Sequence, residues 1–266
     1  MTAVAPPVLP ATSGLLPIDL EELVARAALQ TRVDRKYVLP LTAADRFVTG
    51  LARAEEVRVL EIGGRRSAGY ASQYLDTSDL AGYHLAARGR RRRFKVRRRT
   101  YLDSGDAYLE VKTRGMRGAT VKERIPVAGP STACDFIDAV LTRTGLGWVR
   151  GRDLRPALYT AYRRSTLLLP ASDTRVTVDT ELIWSLPGGP DAHLDGLAIV
   201  ETKSTGCAST ADRLLWRSGF RPSRISKYGT GLAALRGDLP DNRWCPVLRR
   251  HFSLLTPRTC DERTLP

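Results

Sequence analysis

The stretch RGRRRRFKVRRRTYLDSGDAYLEVKTRGMRGATVKER, from Arg88 to Arg124, constrains this chain most. It contains three short segments, Phe94–Tyr101, Ala107–Arg114 and Ala119–Pro126, separated by Gly- and Asp-containing turns. Each alternates with the strand period of two, so that every second side chain lies on one face. Lys95, Arg97 and Arg99 share a face in the first segment, Glu110 and Lys112 in the second, and Lys122 and Arg124 in the third. A sheet built from them carries rows of ammonium and guanidinium groups. Such rows suit a multiply charged anion, because Lys and Arg make charge-assisted bonds to phosphate oxygens. Taken alone, the run also fits a solvated face or an arm that grips nucleic-acid phosphates.

The rest of the chain extends the pattern. TRVDRKYVLP places Arg32, Asp34 and Lys36 on one face of a strand. Strands are expected at Val57–Ile62 and Gly69–Leu75, split by Gly63-Gly64, and at Pro156–Leu169, where Tyr162 and Arg164 share a face. Asp173–Trp184 alternates Arg175, Thr177, Asp179 and Glu181 against Val176, Val178 and Leu182. Leu197–Ser204 puts Glu201 and Lys203 together. Helical spacing marks 18–29, 42–54 with Thr42 as N-cap, 79–87, 131–144, 209–218 and 225–236. Asp76-Thr77-Ser78 reads as a turn, and 185–196 as a loop. The Pro/Ala-rich residues 1–16 are expected to be a disordered tail, 17–237 a single domain, and 238–266 a tail without clear signals.

An open sheet with one wet face would show mixed, nearly balanced charges. Here cations exceed carboxylates on the polar face. A closed barrel turns that face inward and makes a tunnel, so the expected fold is α+β, an eight-stranded antiparallel β-barrel tunnel with peripheral helices. Its cations would hold a polyanion and its carboxylates a divalent metal, the two parts phosphoryl transfer requires. A net charge of +14 and a pI near 10.1 agree with an anionic partner. Of the 42 basic residues only Lys36, Lys95, Lys112, Lys122, Lys203 and Lys227 are Lys, and all fall in these strands or in the SKYGTG segment.

Other functions lack their signatures. Cys134, Cys207, Cys245 and Cys260 form no CxxC pair, and His84, His193 and His251 are isolated, which argues against a zinc site or disulfide framework. No P-loop, dinucleotide fingerprint or nucleic-acid motif is present. Without an apolar run of about 18 residues or a secretory signal, a cytoplasmic protein is expected.

The ordered set RVDRKY, SQYLDTSDLAGYH, RFKVRRRTY, YLEVKTRG, TVKERIP, Tyr162-x-Arg164, RVTVDTEL, VETKS and SKYGTG, across residues 30–235, resembles the VTC domain. That is the polyphosphate polymerase branch of the triphosphate tunnel metalloenzymes. The resemblance implies an enzyme that transfers the γ-phosphate of ATP to inorganic polyphosphate with Mn²⁺ or Mg²⁺. Carried over, Lys36, Arg97, Arg99, Lys112, Arg164 and Lys227 would be catalytic. Lys95, Lys122, Arg124, Arg175 and Lys203 would bind phosphate, and Glu201, Glu110 and Asp34 would serve the metal. The wider superfamily opens on Glu-x-Glu-x-Lys, where this chain has Arg32, Asp34 and Lys36, which weakens the case for a second tightly held metal. The alternatives are a metal-dependent triphosphatase or polyphosphatase with water as acceptor, and a non-catalytic polyphosphate-binding module. A membrane-protein partner and sequence-specific nucleic-acid binding have no signal of their own.

Overall fold

The computed structural model describes residues 9–27, 33–114, 120–127 and 129–252. Arg32 and Ala119, both placed in strands by the sequence pattern, lie outside these residues, as does 1–8 of the expected N-terminal tail. The elements in chain order are β1 (Leu16–Ile18), α1 (Leu20–Ala27), β2 (Val33–Pro40), α2 (Leu41–Ala54), β3 (Arg58–Leu60), β4 (Ala68–Asp76), α3 (Ala81–Ala87), β5 (Arg93–Tyr101), β6 (Ala107–Arg114), β7 (Thr120–Pro126), α4 (Pro130–Arg143), β8 (Arg155–Leu169), β9 (Thr174–Ser185), β10 (Asp191–His193), β11 (Leu197–Ser204), α5 (Thr210–Arg217), α6 (Lys227–Leu235) and α7 (Cys245–His251).

Eight of the strands form one antiparallel path in the order β2-β11-β9-β8-β4-β5-β6-β7. The short β1 and β3 pair in parallel beside β8, and β10 pairs with β9. The path is the eight-stranded tunnel wall the sequence predicts. It curls without closing: among the described residues no ladder joins β2 to β7. Its concavity is visible in the electrostatics, since Lys112 on β6 feels Lys36 and Asp34 on β2 and Lys203 and Glu201 on β11 across the lumen.

Register shifts interrupt the β4–β8 ladder at Tyr74/Leu75 and the β8–β9 ladder at Ala161/Arg163. Irregularities of this kind bend a strand and sharpen its twist. The second corrects the sequence reading of β9. Glu181 adopts a left-handed φ of +53°, so the alternation changes phase there. Thr177 and Asp179 keep the inner face, Glu181 is exposed, and Leu182 and Trp184 turn inward to the core.

Three layers of apolar packing hold the wall. Outside, α2 and α5 cover β2, β9 and β11 through Phe47, Val48, Leu51, Val178, Val200 and Leu215. Also outside, α4 covers β5 and β6 through Phe94, Val96, Val111, Ile137 and Leu141. The third cluster lies on the inner face at one end, where α3, α6 and α7 pack Tyr83, Tyr228, Leu232, Trp244 and Phe252 against Tyr74, Leu158, Trp184 and Ile199. The C-terminal helices therefore stop that end of the tunnel. Among the described residues, no helix is long and apolar enough to cross a membrane.

Several expected boundaries shift for local reasons. Of the expected first helix 18–29, Ile18 instead belongs to β1, because Leu16–Ile18 pairs with Arg58–Leu60, and 28–29 lie outside the described residues. Thr42 is not an N-cap. The helix starts at Leu41 directly from β2, and the Leu41 amide donates to the Gly196 carbonyl. Residues 9–15 form a short turn with Leu9 and Leu15 buried against α2, and the Ala11 amide donates to Asp45. Residues 242–252, beyond the last clear sequence signal, enter the inner cluster through Trp244, Val247, Leu248 and Phe252. Ser209 does cap α5 in a capping box with Asp212, and Ser226 caps α6.

The plug packs against glycine. A Cβ on Gly229 would sit 2.1 Å from the Trp244 ring. Gly229 lies in the first turn of α6, where replacing Gly by Ala gains at most about 1 kcal/mol of propensity, and overpacking costs about 1–3 kcal/mol. At an overlap this severe the cost wins. Gly229→Ala is expected to lower the melting temperature by several degrees, about 2–4 °C per kcal/mol for a chain of this size. A higher melting temperature for Gly229→Ala in thermal unfolding would show the plug to be loosely packed.

Candidate active site

The inner face collects the ionisable residues expected from the alternation. In register, Lys36 faces Glu201 and Asp34 faces Lys203 across β2–β11, and Lys203 faces Arg175 on β9. Arg164 faces Asp179 across β8–β9. Arg97 faces Glu110 and Lys95 faces Lys112 across β5–β6, while Arg124 and Lys122 on β7 face Glu110 and Lys112. So many like charges cannot share one concavity without counter-charge. Three buried or nearly buried carboxylates supply it.

Glu110, 2% exposed, takes Arg97 at 2.5 Å and Lys122 at 2.6 Å, with Arg99 at 3.9 Å. Burial acts to raise its pKa, but Arg97, Arg99 and Lys122 outweigh it and hold the carboxyl down to about 2. Asp179, 1% exposed, receives a two-point bond from Arg164 at 2.6 and 2.8 Å and is also bonded by the Lys227 ammonium at the start of α6. Burial opposes its ionisation, and Arg164 and Lys227 again outweigh it. Glu201 takes Lys203 at 2.8 Å and Lys36 at 3.3 Å, and Lys203 also reaches Asp34 at 3.2 Å. Against burial, Lys36 and Lys203 hold Glu201 well below the usual carboxylate range.

Tyrosines of the same face back the cations. Arg97 lies 5.8 Å from the Tyr74 ring and also donates to the Tyr74 hydroxyl at 3.1 Å. Arg99 and Arg164 lie over Tyr70, Arg124 over Tyr108, and Lys227 over Tyr162 at 4.4 Å. Each contact supplies about 0.5–2 kcal/mol and holds a long side chain in one orientation. The Tyr162 hydroxyl is buried with no hydrogen-bond partner among the described residues. Burial raises its pKa, but Arg164, Arg99 and Lys227 bring the net shift below the ordinary phenol value.

Lys95 differs from its neighbours. Its ammonium donates to the Ser226 hydroxyl at 2.7 Å. Burial lowers its pKa first, then Lys112, Lys36, Arg97 and Arg93, to about 7. Burial in the concavity and then the opposing Lys36 also lower Lys112, although its side chain remains solvent-accessible. Lys122 falls to about 8 by burial, despite its bond to Glu110.

Sequence reasoning foresaw the cation rows and missed what fixes them. Asp179 was only a member of a polar row, with no partner assigned. The tyrosines carried a signal, since Tyr70, Tyr74, Tyr101, Tyr108 and Tyr162 occur at the parity of the cations. Asp76, read as part of a turn, is 1% exposed and accepts from the Thr77, Gly82 and Tyr83 amides and the Tyr228 hydroxyl. It thereby ties the start of α3 to the residue beside Lys227. Among the described residues no three acidic, His or Cys side chains cluster as a metal cage. Asp34 and Glu201 do converge on the single Lys203 ammonium, so that spot already hosts a cation. Two carboxylates suffice for Mg²⁺, which keeps waters and takes the remaining ligands from phosphate.

Curled wall and cationic lumen together define a tunnel-like fold lined by fixed positive charge. The chain belongs to the VTC domain family, whose model matches residues 31–236. No curated protein shows a significant sequence match. Among solved structures, a Bacillus halodurans protein provisionally assigned as an adenylate cyclase aligns over 74% of this chain and 94% of its own, with 11% identity and a TM-score of 0.50. A Vibrio parahaemolyticus protein with the same provisional assignment covers 77% and 98%, at 15% identity and a TM-score of 0.43. A Hippeastrum protein, provisionally an adenylyl cyclase with a dominant triphosphatase activity, covers 80% and 100%, at 14% identity and a TM-score of 0.45. At 11% identity the likeness to the Bacillus halodurans protein is one of fold.

Two predictions follow from the electrostatics. Folding lowers the Glu110 pKa from 4.5 to about 2, so the carboxylate contributes about 3 kcal/mol. That contribution is fully present above pH 4.5 and is lost as pH falls toward 2. Glu110→Gln should remove this part of the acid dependence in denaturant titrations; an unaltered dependence would show that the carboxylate is not charge-paired. Polyanion binding favours protonated Lys95. Tripolyphosphate affinity should therefore weaken as pH rises through about 7, and less so in Lys95→Arg, when followed by calorimetry. Equal pH dependence in both proteins would exclude Lys95 as its source.

Proposed function

We propose that the tunnel is a polyphosphate polymerase site that transfers the γ-phosphate of ATP to the end of a polyphosphate chain. The observation that carries this reading is the lumen itself. Arg97, Arg99, Lys112, Lys122, Arg164 and Lys227 project from five elements into one concavity, oriented by carboxylates and tyrosines. Membership of the VTC domain family supports it.

In this mechanism Arg97, Arg99, Lys112 and Arg164 hold the β- and γ-phosphates. Lys36, Lys95, Lys122, Arg124, Arg175 and Lys203 extend the phosphate path, and Lys227 sits at the plugged end. A terminal oxygen of the chain, ionised at neutral pH, bonds to the γ-phosphorus. The bond from γ-phosphorus to the β–γ bridging oxygen breaks, and ADP leaves with that electron pair. No protein nucleophile is required, and fixed positive charge stabilises the charge that accumulates on the phosphoryl oxygens. Glu201 and Asp34 would hold Mn²⁺ or Mg²⁺, which when bound offsets phosphate charge. Glu110, whose oxygens meet Arg97 and Lys122, is the third carboxylate assigned to the metal in this reading.

Purified protein with ATP and Mn²⁺, with and without a short polyphosphate primer, tests the reading on a polyphosphate-stained gel beside a free-phosphate assay. The expected result is a primer-dependent ladder, reduced at least about 100-fold in Lys112→Ala and Glu201→Gln, the order of loss found on removing an electrostatic catalytic group. Free phosphate without a ladder would make the protein a tunnel hydrolase. Neither product, with polyphosphate still bound, would make it a binding module.

A further inference from the structure

Trp148 is 60% exposed, although the chain on either side of it is anchored. Leu146 and Val149 are buried in the cluster beneath α4, and the Val149 amide donates to the Leu146 carbonyl at 3.0 Å. The turn after α4 therefore holds the indole out in solvent on a fixed backbone. An indole held this way adds little to the core and offers a flat apolar face with an N–H at its edge.

Near it lies the basic loop that the tunnel leaves unused. After α3 ends at Ala87, the amides of Gly89 and Arg90 donate back to the Ala86 and Leu85 carbonyls at 3.1 and 2.9 Å. Gly89 takes a left-handed φ of +68°, which turns the chain back on the helix end. Arg93 donates to the Arg90 carbonyl at 2.8 Å. The backbone under Arg88 and Arg90 is thus fixed while both side chains are exposed. The loop also touches the turn that carries Trp148, since a Cβ on Gly145 would lie 3.4 Å from the Arg92 guanidinium. Asp79, His84, Leu85, Arg88, Arg90 and Trp148 line one concavity of about 410 Å³. The opposite face of α3 packs Tyr83, Ala86 and Ala87 into the plug, so the concavity lies outside the stopped end and is separate from the lumen.

Its lining combines three kinds of recognition. An aromatic face takes a nucleobase by stacking, whichever base it is. Exposed guanidiniums take phosphate oxygens. A carboxylate accepts from hydroxyl groups, which a nucleoside has and a phosphate chain lacks. Arg88 and Arg90 against Asp79 leave one net positive charge, which suits a single phosphate group, and Asp79 repels a longer polyanion. The volume is that of a small-molecule site, for which about 300–1,000 Å³ is usual.

We propose that this concavity is a second binding site, for a nucleoside monophosphate. The base stacks on Trp148, the phosphate bonds to Arg88 and Arg90, and Asp79 accepts from a ribose hydroxyl. The site does not depend on what the lumen holds.

The test uses the full chain with AMP, ribose 5-phosphate, tripolyphosphate and a single-stranded RNA of about eight nucleotides, within the span of common single-strand sites. AMP should quench tryptophan emission saturably, a signal assigned to Trp148 because Trp184 and Trp244 are buried and Trp216 is half-buried. By calorimetry, Trp148→Ala and Arg88→Ala/Arg90→Ala should each weaken AMP about tenfold or more, the order lost when a stacking ring is truncated. Trp148→Phe, which keeps a ring, should stay within about threefold, and ribose 5-phosphate should bind about tenfold more weakly than AMP. Absence of AMP binding, equal binding of ribose 5-phosphate, or unchanged AMP affinity in Trp148→Ala overturns the site. RNA binding that AMP does not compete with, through the same residues, replaces it with a nucleic-acid surface. Tripolyphosphate binding that falls in parallel with AMP places both ligands in the lumen and also overturns it. If the unaltered protein binds AMP and no tripolyphosphate, the tunnel reading fails and this site stands.

Discussion

Confinement of like charge is the constraint on which this structure depends. A curled sheet turns guanidinium and ammonium groups from seven strands toward one another. Unopposed, they would drive the wall open. Glu110, Asp179 and Glu201 each gather at least two cations, and the buried positions of the first two make those pairs strong in both directions. Paired ions in a low-dielectric setting fix geometry, and removing one partner leaves an uncompensated charge. The carboxylates thus hold the cations apart at set positions. Each cation keeps donors for a further acceptor, as guanidinium and ammonium groups carry more than one N–H.

The rest of the fold serves that arrangement. Outer helices cover the apolar faces of the strands, so the polar faces are left for the lumen. The change of phase at Glu181 lets one strand contribute Asp179 to the lumen and Trp184 to the plug. Without it, β9 would expose Trp184 or withdraw Asp179 from Arg164. Asp76 links three amides and Tyr228, and so couples the plug to the residue next to Lys227. Tyr228 also stacks on Tyr74, which bonds Arg97, so the plug touches the Glu110 group as well as the Asp179 group that Lys227 bonds.

Much of this was legible in the sequence because strand periodicity is short and strict. Lys95, Arg97 and Arg99 had to share a face, and so did Glu201 and Lys203. The same rule brought Glu181 into the polar row, and there it failed, since a single left-handed residue resets the parity and leaves no sign in the alternation. Cross-strand partners were beyond reach for another reason. That Glu110 would meet Arg97 and Lys122 depends on register, which the pattern does not specify once each strand alternates equally well. The roles of Asp76 and of residues 242–252 depend on contacts more than 100 residues apart, such as Asp76 with Tyr228. Thr42 looked like a cap because the direct passage from β2 into α2 needs none.

The polymerase reading requires that the inner face bind a chain of phosphates. A crystal structure grown with tripolyphosphate tests it most directly. The account predicts density inside the tunnel, with phosphate oxygens bonded to Arg97, Lys112 and Arg164 while Glu110 and Asp179 keep their cation partners. Density confined to the outer surface, or a lumen filled by rearranged side chains with the anion excluded, would contradict it.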